Sequence, residues 1–280
     1  MSEILLPLTK TEVFNKSLEV QQNLLSSYDI SAQLSAIEDL VARDAPENIV
    51  LRLLCLASLT SSGIKPKVLE NIKREILQSY GYDRVALLIN LASSSLLLPS
   101  PLPSKAAKFS YTQLRKQLRL VVEDQDYTPN VAADANQEEV ARAEDRDISY
   151  TYSGYAPLSC RLVQCVAQKT GVLAFPGTKT TEGDDIRAHA HPIIGWKGFE
   201  DVISLIQGET VDIILQGEQS SFSAPLTKTD TMTTVVFFLG GCTYTEIAAL
   251  RWMSRQTRGR KFLIATTGII NGNTLVNAFK

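Results

Sequence analysis

Hydrophobic positions recur at helical spacing through residues 9–120 and predict a series of helices. Apolar side chains repeat loosely over residues 13–25 and more tightly over 34–41, which predicts two amphipathic helices. Residues 49–60 are apolar on nearly all sides, so this segment is predicted to be a central, buried helix. Pro66 and Gly81 then stand where these residue types favour the start and the end of a helix. We therefore predict a helical module over residues 1–120.

A strand, a helix and a second strand are predicted near the end of the chain. Residues 233–239 are rich in β-branched and aromatic side chains without polar alternation, which is typical of a strand covered on both faces. Thr243 and Glu246 have the spacing of a capping box at the start of a helix. A second apolar run at 262–265 follows, and this order requires two parallel, neighbouring strands. Residues 148–280 are therefore predicted to be part of an α/β domain.

An acidic segment separates the two predicted parts. Residues 121–147 contain nine acidic residues and two arginines, a charge of about −7. Low hydrophobicity combined with high charge does not bury enough surface to order a chain. We interpret the segment as a linker or surface loop, and a functional acidic patch is the alternative.

Composition narrows the classes of function. The formal charge of the chain is −2, so no general positive field points to nucleic acid. The four cysteines are scattered without a CxxC pair, which favours buried thiols over disulfides. Neither a signal peptide nor an apolar run of about 18 residues is present. We expect a soluble, intracellular protein.

The sequence contains few residues that suggest catalysis or the binding of a ligand or metal. Gly240 and Gly241 follow a predicted strand and face a helix N-terminus, where anions can bind. The GxGxxG and Gly-Lys-Ser/Thr patterns are missing, so tight packing is favoured over a nucleotide-binding α/β enzyme domain. His189 and His191 are the only histidines, and a zinc site needs further ligands. We predict no catalytic residue, no metal and no cofactor.

Three helices followed by a short apolar extension also outline a winged-helix module. Residues 61–90 hold five lysines or arginines against three acids. A nucleic-acid binder needs a clearly basic recognition face, which this surplus of two does not provide. An interaction module is therefore the favoured interpretation, and no nucleic-acid partner is expected.

Several blocks resemble the SM (Sec-one/Munc-eighteen) proteins, which regulate SNARE-driven membrane fusion. Residues 236–251 are similar to the signature near the C-terminus of that family. Residues 148–158, 51–56 and 73–82 are similar to blocks of its vacuolar protein sorting class C branch, the SM subunit of the HOPS and CORVET tethering complexes. The resemblance implies a helical domain, the latter part of the family's third domain, followed by the C-terminal part of its parallel-sheet α/β domain.

The resemblance also implies partners and a location. SM proteins are about twice this long or longer, so we expect this chain to correspond to a C-terminal half. The family's first domain and its SNARE-binding helical hairpin lie in the other half, so SNARE proteins are expected to bind through the full-length protein. A helical-repeat subunit of the tethering complex is the partner expected for the helical module. The expected location is cytoplasmic, in a protein that is peripheral and not integral to the membranes of the vacuole, lysosome and late endosome. The protein is not expected to be an enzyme.

The predicted helix over residues 83–92 has more apolar surface than one core contact needs. After one stripe packs into the core, a second is expected to stay exposed. We interpret four residues on this helix and on the outer face of the preceding one as part of a partner-binding surface. Ordinary core packing or plain surface is the alternative. The four residues are Lys73, Tyr82, Val85 and Ile89.

Overall fold

The computed structural model describes residues 2–100, 110–121, 147–168, 195–196, 199–206, 208–213, 232–256 and 260–280. The chain forms two compact units. The first, called here the helical unit, contains residues 1–113 and 271–280, and the second, the sheet unit, contains residues 114–270. Each unit has a hydrophobic core of its own.

The elements are given in chain order. The helices are α1 (Ser2–Thr9), α2 (Glu12–Leu25), α3 (Ile30–Ala42), α4 (Glu47–Thr60), α5 (Pro66–Tyr80), α6 (Val85–Ser93), α7 (Tyr111–Gln117), α8 (Leu158–Gln168), α9 (Glu200–Ile203), α10 (Tyr244–Gln256) and α11 (Gly272–Asn277). The strands are β1 (Met232–Phe238) and β2 (Arg260–Thr266). Short 3₁₀ turns lie at Tyr82–Arg84 and at Ile148–Tyr152.

Helix α4 is the centre of the helical unit, as its apolar surface predicts. Eight of its fourteen residues are buried, and α2, α3 and α11 pack against it. Pro66 occupies the first turn of α5, and Gly81 ends that helix with a φ of 102°. The predicted central helix and the predicted limits of α5 are therefore confirmed.

The last ten residues pack in the helical unit. Asn271 caps α11 by accepting hydrogen bonds from the backbone amides of Asn273 and Thr274, at 2.9 and 3.0 Å. Val276 is buried in the helical core, and Phe279 packs against it. The sequence interpretation grouped this segment with the sheet over residues 148–280, whereas the structure assigns residues 271–280 to the helical unit. Residues 114–120, which the sequence interpretation placed in the helical module, likewise belong to the sheet unit. The predicted limits of the acidic segment stay predictions, because most of that segment lies outside the described residues.

The sheet unit contains the predicted β–α–β arrangement. Strands β1 and β2 are parallel neighbours, in a register that pairs Met232 with Arg260 and Phe238 with Thr266. Helix α10 begins with the predicted capping box: the Glu246 amide donates to Thr243 Oγ1 at 3.2 Å, and the Thr243 amide donates to Glu246 Oε2 at 2.7 Å. Both predictions are confirmed.

Only one face of this sheet is covered in the described part of the chain. The inward face of the two strands packs on a cluster with the buried residues of α10. On the other face, Val235 is 60% exposed, Phe237 61% and Leu263 54%. The prediction of a strand covered on both faces is thus wrong for the described residues, in which the residues of α8 and α10 that cluster with the strands lie on the inward face.

Other predicted elements are shorter than expected. Apolar residues at helical spacing over residues 109–122 predict one more amphipathic helix. The structure has only α7 there, and Arg119 beyond its end has a positive φ of 47°, which no α-helix continues. The apolar residues over 198–207 predict a short helix, and the structure has the four residues of α9 there. The histidines at 189 and 191 lie outside the described residues.

A buried ion pair in the sheet unit was not predicted. The side chain of Arg161 is fully buried on α8, and its guanidinium contacts both Asp147 carboxylate oxygens at 3.0 Å. Arg161 also donates to Gln164 Oε1 at 2.7 Å and to the Arg119 carbonyl at 2.9 Å. Burial by itself raises the pKa of the Asp147 carboxyl, but the Arg161 charge and the hydrogen bonds outweigh it, and the pKa is lowered.

Candidate functional site

The candidate surface begins at a sharp corner between α5 and α6. Gly81 forms the corner with a φ of 102°, a conformation that favours glycine. Just before it, Tyr80 Oη donates to the Ala45 carbonyl at 2.6 Å, and burial, with the charges of Asp44 and Glu47, raises the pKa of Tyr80 to about 12. This contact holds the end of α5 against the start of α4.

Three of the four predicted residues form one exposed line. Tyr82, Val85 and Ile89 follow each other at helical spacing, and they are 73%, 42% and 58% exposed. We call these three residues the α6 stripe. The buried face of α6 consists of Leu87, Leu88 and Leu91. The helix therefore has one apolar face in the core and a second one on the surface.

Lys73 lies apart from the α6 stripe, on α5. Its Nζ forms an ion pair with Glu70 Oε1 at 3.0 Å, and a quarter of its side chain, 25%, is exposed. The structure therefore brings Tyr82, Val85 and Ile89 together on one line and leaves Lys73 as a charge on the neighbouring helix.

Polar contacts beside the α6 stripe escaped the sequence interpretation. Glu47 Oε1 lies 2.7 Å from Arg84 Nε, with an angle too poor for a hydrogen bond, and Glu47 Oε2 lies 3.3 Å from Lys280 Nζ. Asn90 Nδ2 donates to the Phe279 carbonyl at 3.0 Å. The partners are far apart along the chain, so neither periodicity nor a motif could have indicated these contacts.

The exposed surface of the α6 stripe is apolar. The α6 stripe has no charged side chain, so any contact that it makes would bury apolar surface. No group of three His, Cys, Asp or Glu side chains in the described part of the chain is arranged to hold a metal ion. Within the same part, no helix combines the length and the apolar character needed to cross a membrane.

The backbone conformation and close packing explain why two glycines follow β1. Gly240 and Gly241 have φ values of 99° and 115°. A Cβ on Gly241 would lie 2.6 Å from Ile270 Cγ2 and 3.2 Å from the Gly268 carbonyl oxygen. Glycine is thus required by the backbone and by close approach, with no need for a bound anion.

Comparison with known proteins identifies the family. The Sec1 family model matches residues 1–278, nearly the whole chain. The chain belongs to the Sec1 family. The resemblance to SM proteins that the sequence blocks indicate is thereby confirmed.

The relatives belong to the vacuolar sorting branch. The chain is 34% identical to vacuolar protein sorting-associated protein 33A of Rattus norvegicus, over 99% of this chain and 39% of that protein. It is 30% identical to the vacuolar protein-sorting-associated protein 33 homolog of Arabidopsis thaliana, over 100% of this chain and 41% of that protein. The vacuolar protein sorting-associated protein 33 of Schizosaccharomyces pombe gives 30% identity, with the same coverage of 100% and 41%. The chain thus spans about two fifths of the length of these curated relatives.

Proposed function

We propose that this chain is the partner-docking part of an SM-type regulator of SNARE-mediated membrane fusion. In this proposal the whole protein acts in transport to the vacuole or lysosome, as a subunit of a HOPS or CORVET tethering complex. The family match over residues 1–278 and the names of the vacuolar sorting relatives support it. SNARE proteins bind through parts of the full-length protein that this chain does not contain.

The exposed α6 stripe is the observation that carries the docking role. Val85 and Ile89 are held outward by a helix whose other face is fixed in the core, and Tyr82 extends the line from the 3₁₀ turn before that helix. A second helix can cover such a line with its own apolar positions, which fits a partner built of helical repeats. Lys73 adds a positive charge on the neighbouring helix for an acidic residue of the partner.

The proposed role is assembly and not catalysis. Docking would hold the protein on a complex at the cytoplasmic surface of the vacuole, lysosome or late endosome. A nucleotide-binding enzyme is disfavoured because Gly241 is explained by its contact with Ile270. A winged-helix nucleic-acid binder is disfavoured by the weak basic surplus over residues 61–90.

Charge substitution on the α6 stripe tests the docking role. The double variant Tyr82→Asp, Val85→Asp should lose at least about 100-fold in affinity for a purified helical-repeat subunit of a class C vacuolar sorting complex, since it buries two carboxylates in an apolar contact. Affinity is measured by surface capture, and circular dichroism checks that the helices persist.

The matched control changes the same residue types elsewhere. Tyr28 and Val211 are 67% and 64% exposed, so Tyr28→Asp, Val211→Asp adds the same charges outside the α6 stripe and should bind as the unmodified chain does. Binding that survives in the α6 double variant would contradict the docking role. Binding lost equally in both double variants would point to a general charge effect.

A further inference from the structure

Polar contacts link both ends of α6 to the side chain of Glu47. At the start of α6, Arg84 is paired with Glu47 on α4. Near its end, Asn90 donates to the carbonyl of Phe279. The next residue, Lys280, returns to the same Glu47 carboxylate and also donates to Asn48 Oδ1 at 3.2 Å. Both ends of the exposed helix are therefore tied to one carboxylate, directly or through residues 279–280.

We propose that residues 271–280 act as a clasp that holds α6 in its docking orientation, with Glu47 as the positioning residue. The inference rests on the proposed docking role of the α6 stripe and adds to it. The clasp contacts α6 directly only near its end, at Asn90, and is linked to its start through Glu47 and Arg84. It needs no contact with the partner.

The clasp is itself firmly attached to α4. Gly272 approaches the aliphatic part of Arg52 so closely that a Cβ would collide with Arg52 Cδ. Val276 is buried in the helical core, and the side chain of Phe279 packs against that core. A segment fixed at its beginning, middle and end can transmit its position to α6.

Helix α6 depends on such external support. It has nine residues, and no side chain caps its N-terminus. A helix this short is marginal in water and takes its stability from tertiary contacts. Its leucine face fixes the depth of the helix in the core, while the polar contacts at Arg84 and Asn90 fix its direction.

The carboxylate of Glu47 is well suited to this task. Its side chain is only 14% exposed, whereas those of Arg84 and Lys280 are 32% and 38% exposed. Solvent and salt therefore screen the two ion pairs less than they screen a surface pair. When Glu47 is neutralised, the two cations can still reach water, so the clasp should loosen without unfolding the unit.

Hydrogen exchange in the isolated chain tests the clasp without a partner. Glu47→Gln should speed the exchange of the amides of residues 85–93 by about tenfold, because two ion pairs that oppose local opening are lost. Lys280→Gln removes one pair and should give a smaller increase. The matched control is Glu19→Gln, which breaks the exposed Lys16–Glu19 pair of α2 and should leave α6 unchanged.

Binding of the helical-repeat subunit tests the link to docking. Glu47→Gln should weaken capture by about three- to tenfold, because only the held fraction of α6 binds. By reciprocity, the bound subunit should slow exchange across residues 272–280. Unchanged α6 exchange in both Glu47→Gln and Lys280→Gln would overturn the clasp. Faster exchange with unchanged capture would overturn its role in docking.

The two proposals can fail separately. If the unmodified chain does not bind the subunit, the docking role fails, while the exchange of residues 85–93 in Glu47→Gln still decides whether the clasp exists. If the subunit binds and the Tyr82→Asp, Val85→Asp variant does not, unchanged exchange in the clasp variants removes the clasp alone.

Discussion

At the residue scale, the cysteines illustrate how burial sets chemistry. All four are free thiols, and all four are buried. Burial raises the pKa of Cys55 to about 12, and it does the same for Cys165, where the nearby Arg161 charge only partly offsets it. Burial and the charge of Glu246 raise the pKa of Cys160 to about 12. The sequence prediction of buried thiols is confirmed. Because the thiolate is the nucleophile, a raised pKa makes Cys55, Cys160 and Cys165 unreactive.

We therefore expect the native chain to resist alkylation. With a pKa of about 12, a thiol at pH 8 is ionised to only about one part in 10⁴, and buried sulfur is also out of reach of the reagent. Iodoacetamide at pH 8 should label none of the four cysteines within an hour, and all four in denaturant, as read by intact mass. Rapid labelling of the native chain would show that one of these sites opens.

At the element scale, two adjacent glycines separate two causes of strain. The turn from β1 to α10 needs positive φ at both Gly240 and Gly241. Only Gly241 is also crowded, by Ile270 and Gly268, whereas nothing lies within 4 Å of a Cβ on Gly240. The pair was recognisable in the sequence, but the crowding was not, because it comes from a loop that follows β2.

Alanine substitution should distinguish these two causes. Gly240→Ala is expected to lower the free energy of unfolding of the sheet unit by about 1 kcal/mol, for the backbone conformation alone. Gly241→Ala should cost about 2–4 kcal/mol, because Ile270 must also move. Urea unfolding followed by tryptophan fluorescence measures both. Equal losses in the two variants would mean that the contact with Ile270 is soft.

At the scale of the whole molecule, one carboxyl in each unit makes an opposite contribution to stability in acid. The lowered pKa of Asp147 means that its pairing with Arg161 stabilises the sheet unit above the unfolded pKa of about 3.9, and this is lost as the pH falls through the folded value. In the helical unit, burial and the nearby Glu75 raise the pKa of Glu38, with an Asn71 hydrogen bond opposing. Its contribution is thus present at low pH and is lost as the pH rises through the folded pKa.

We expect the sheet unit to unfold first on acidification. Both tryptophans, Trp196 and Trp252, belong to the sheet unit, so fluorescence follows that unit while far-ultraviolet circular dichroism is dominated by the helical unit. Below about pH 4 the fluorescence transition should precede the loss of helix signal. Coincident acid transitions would contradict this order.

Asp147→Asn should destabilise the sheet unit by about 3–5 kcal/mol even at pH 7, since it leaves Arg161 buried without a counter-charge. The control is Asp201→Asn, at an exposed position.

Much of the candidate site could be predicted, because its signals are local. The line of Tyr82, Val85 and Ile89 follows from helical spacing and from an excess of apolar positions. The contacts of Glu47 with Arg84 and Lys280 could not be predicted, because each joins residues that only the packed fold brings together. Lys73 is local in the same sense as the α6 stripe, because both its place on α5 and its ion pair with Glu70, three residues before it, follow from helical spacing.

By itself, the sequence determined the features that act over a few residues. These are the limits of α5 at Pro66 and Gly81, the capping box of α10, the parallel pair of strands and the family. The tertiary structure alone decided that residues 271–280 pack on α4, that Arg161 is buried against Asp147, and that one face of the sheet is open in the described part. The reason is physical: caps and periodicity depend on neighbours along the chain, whereas burial and ion pairing depend on which distant surfaces meet.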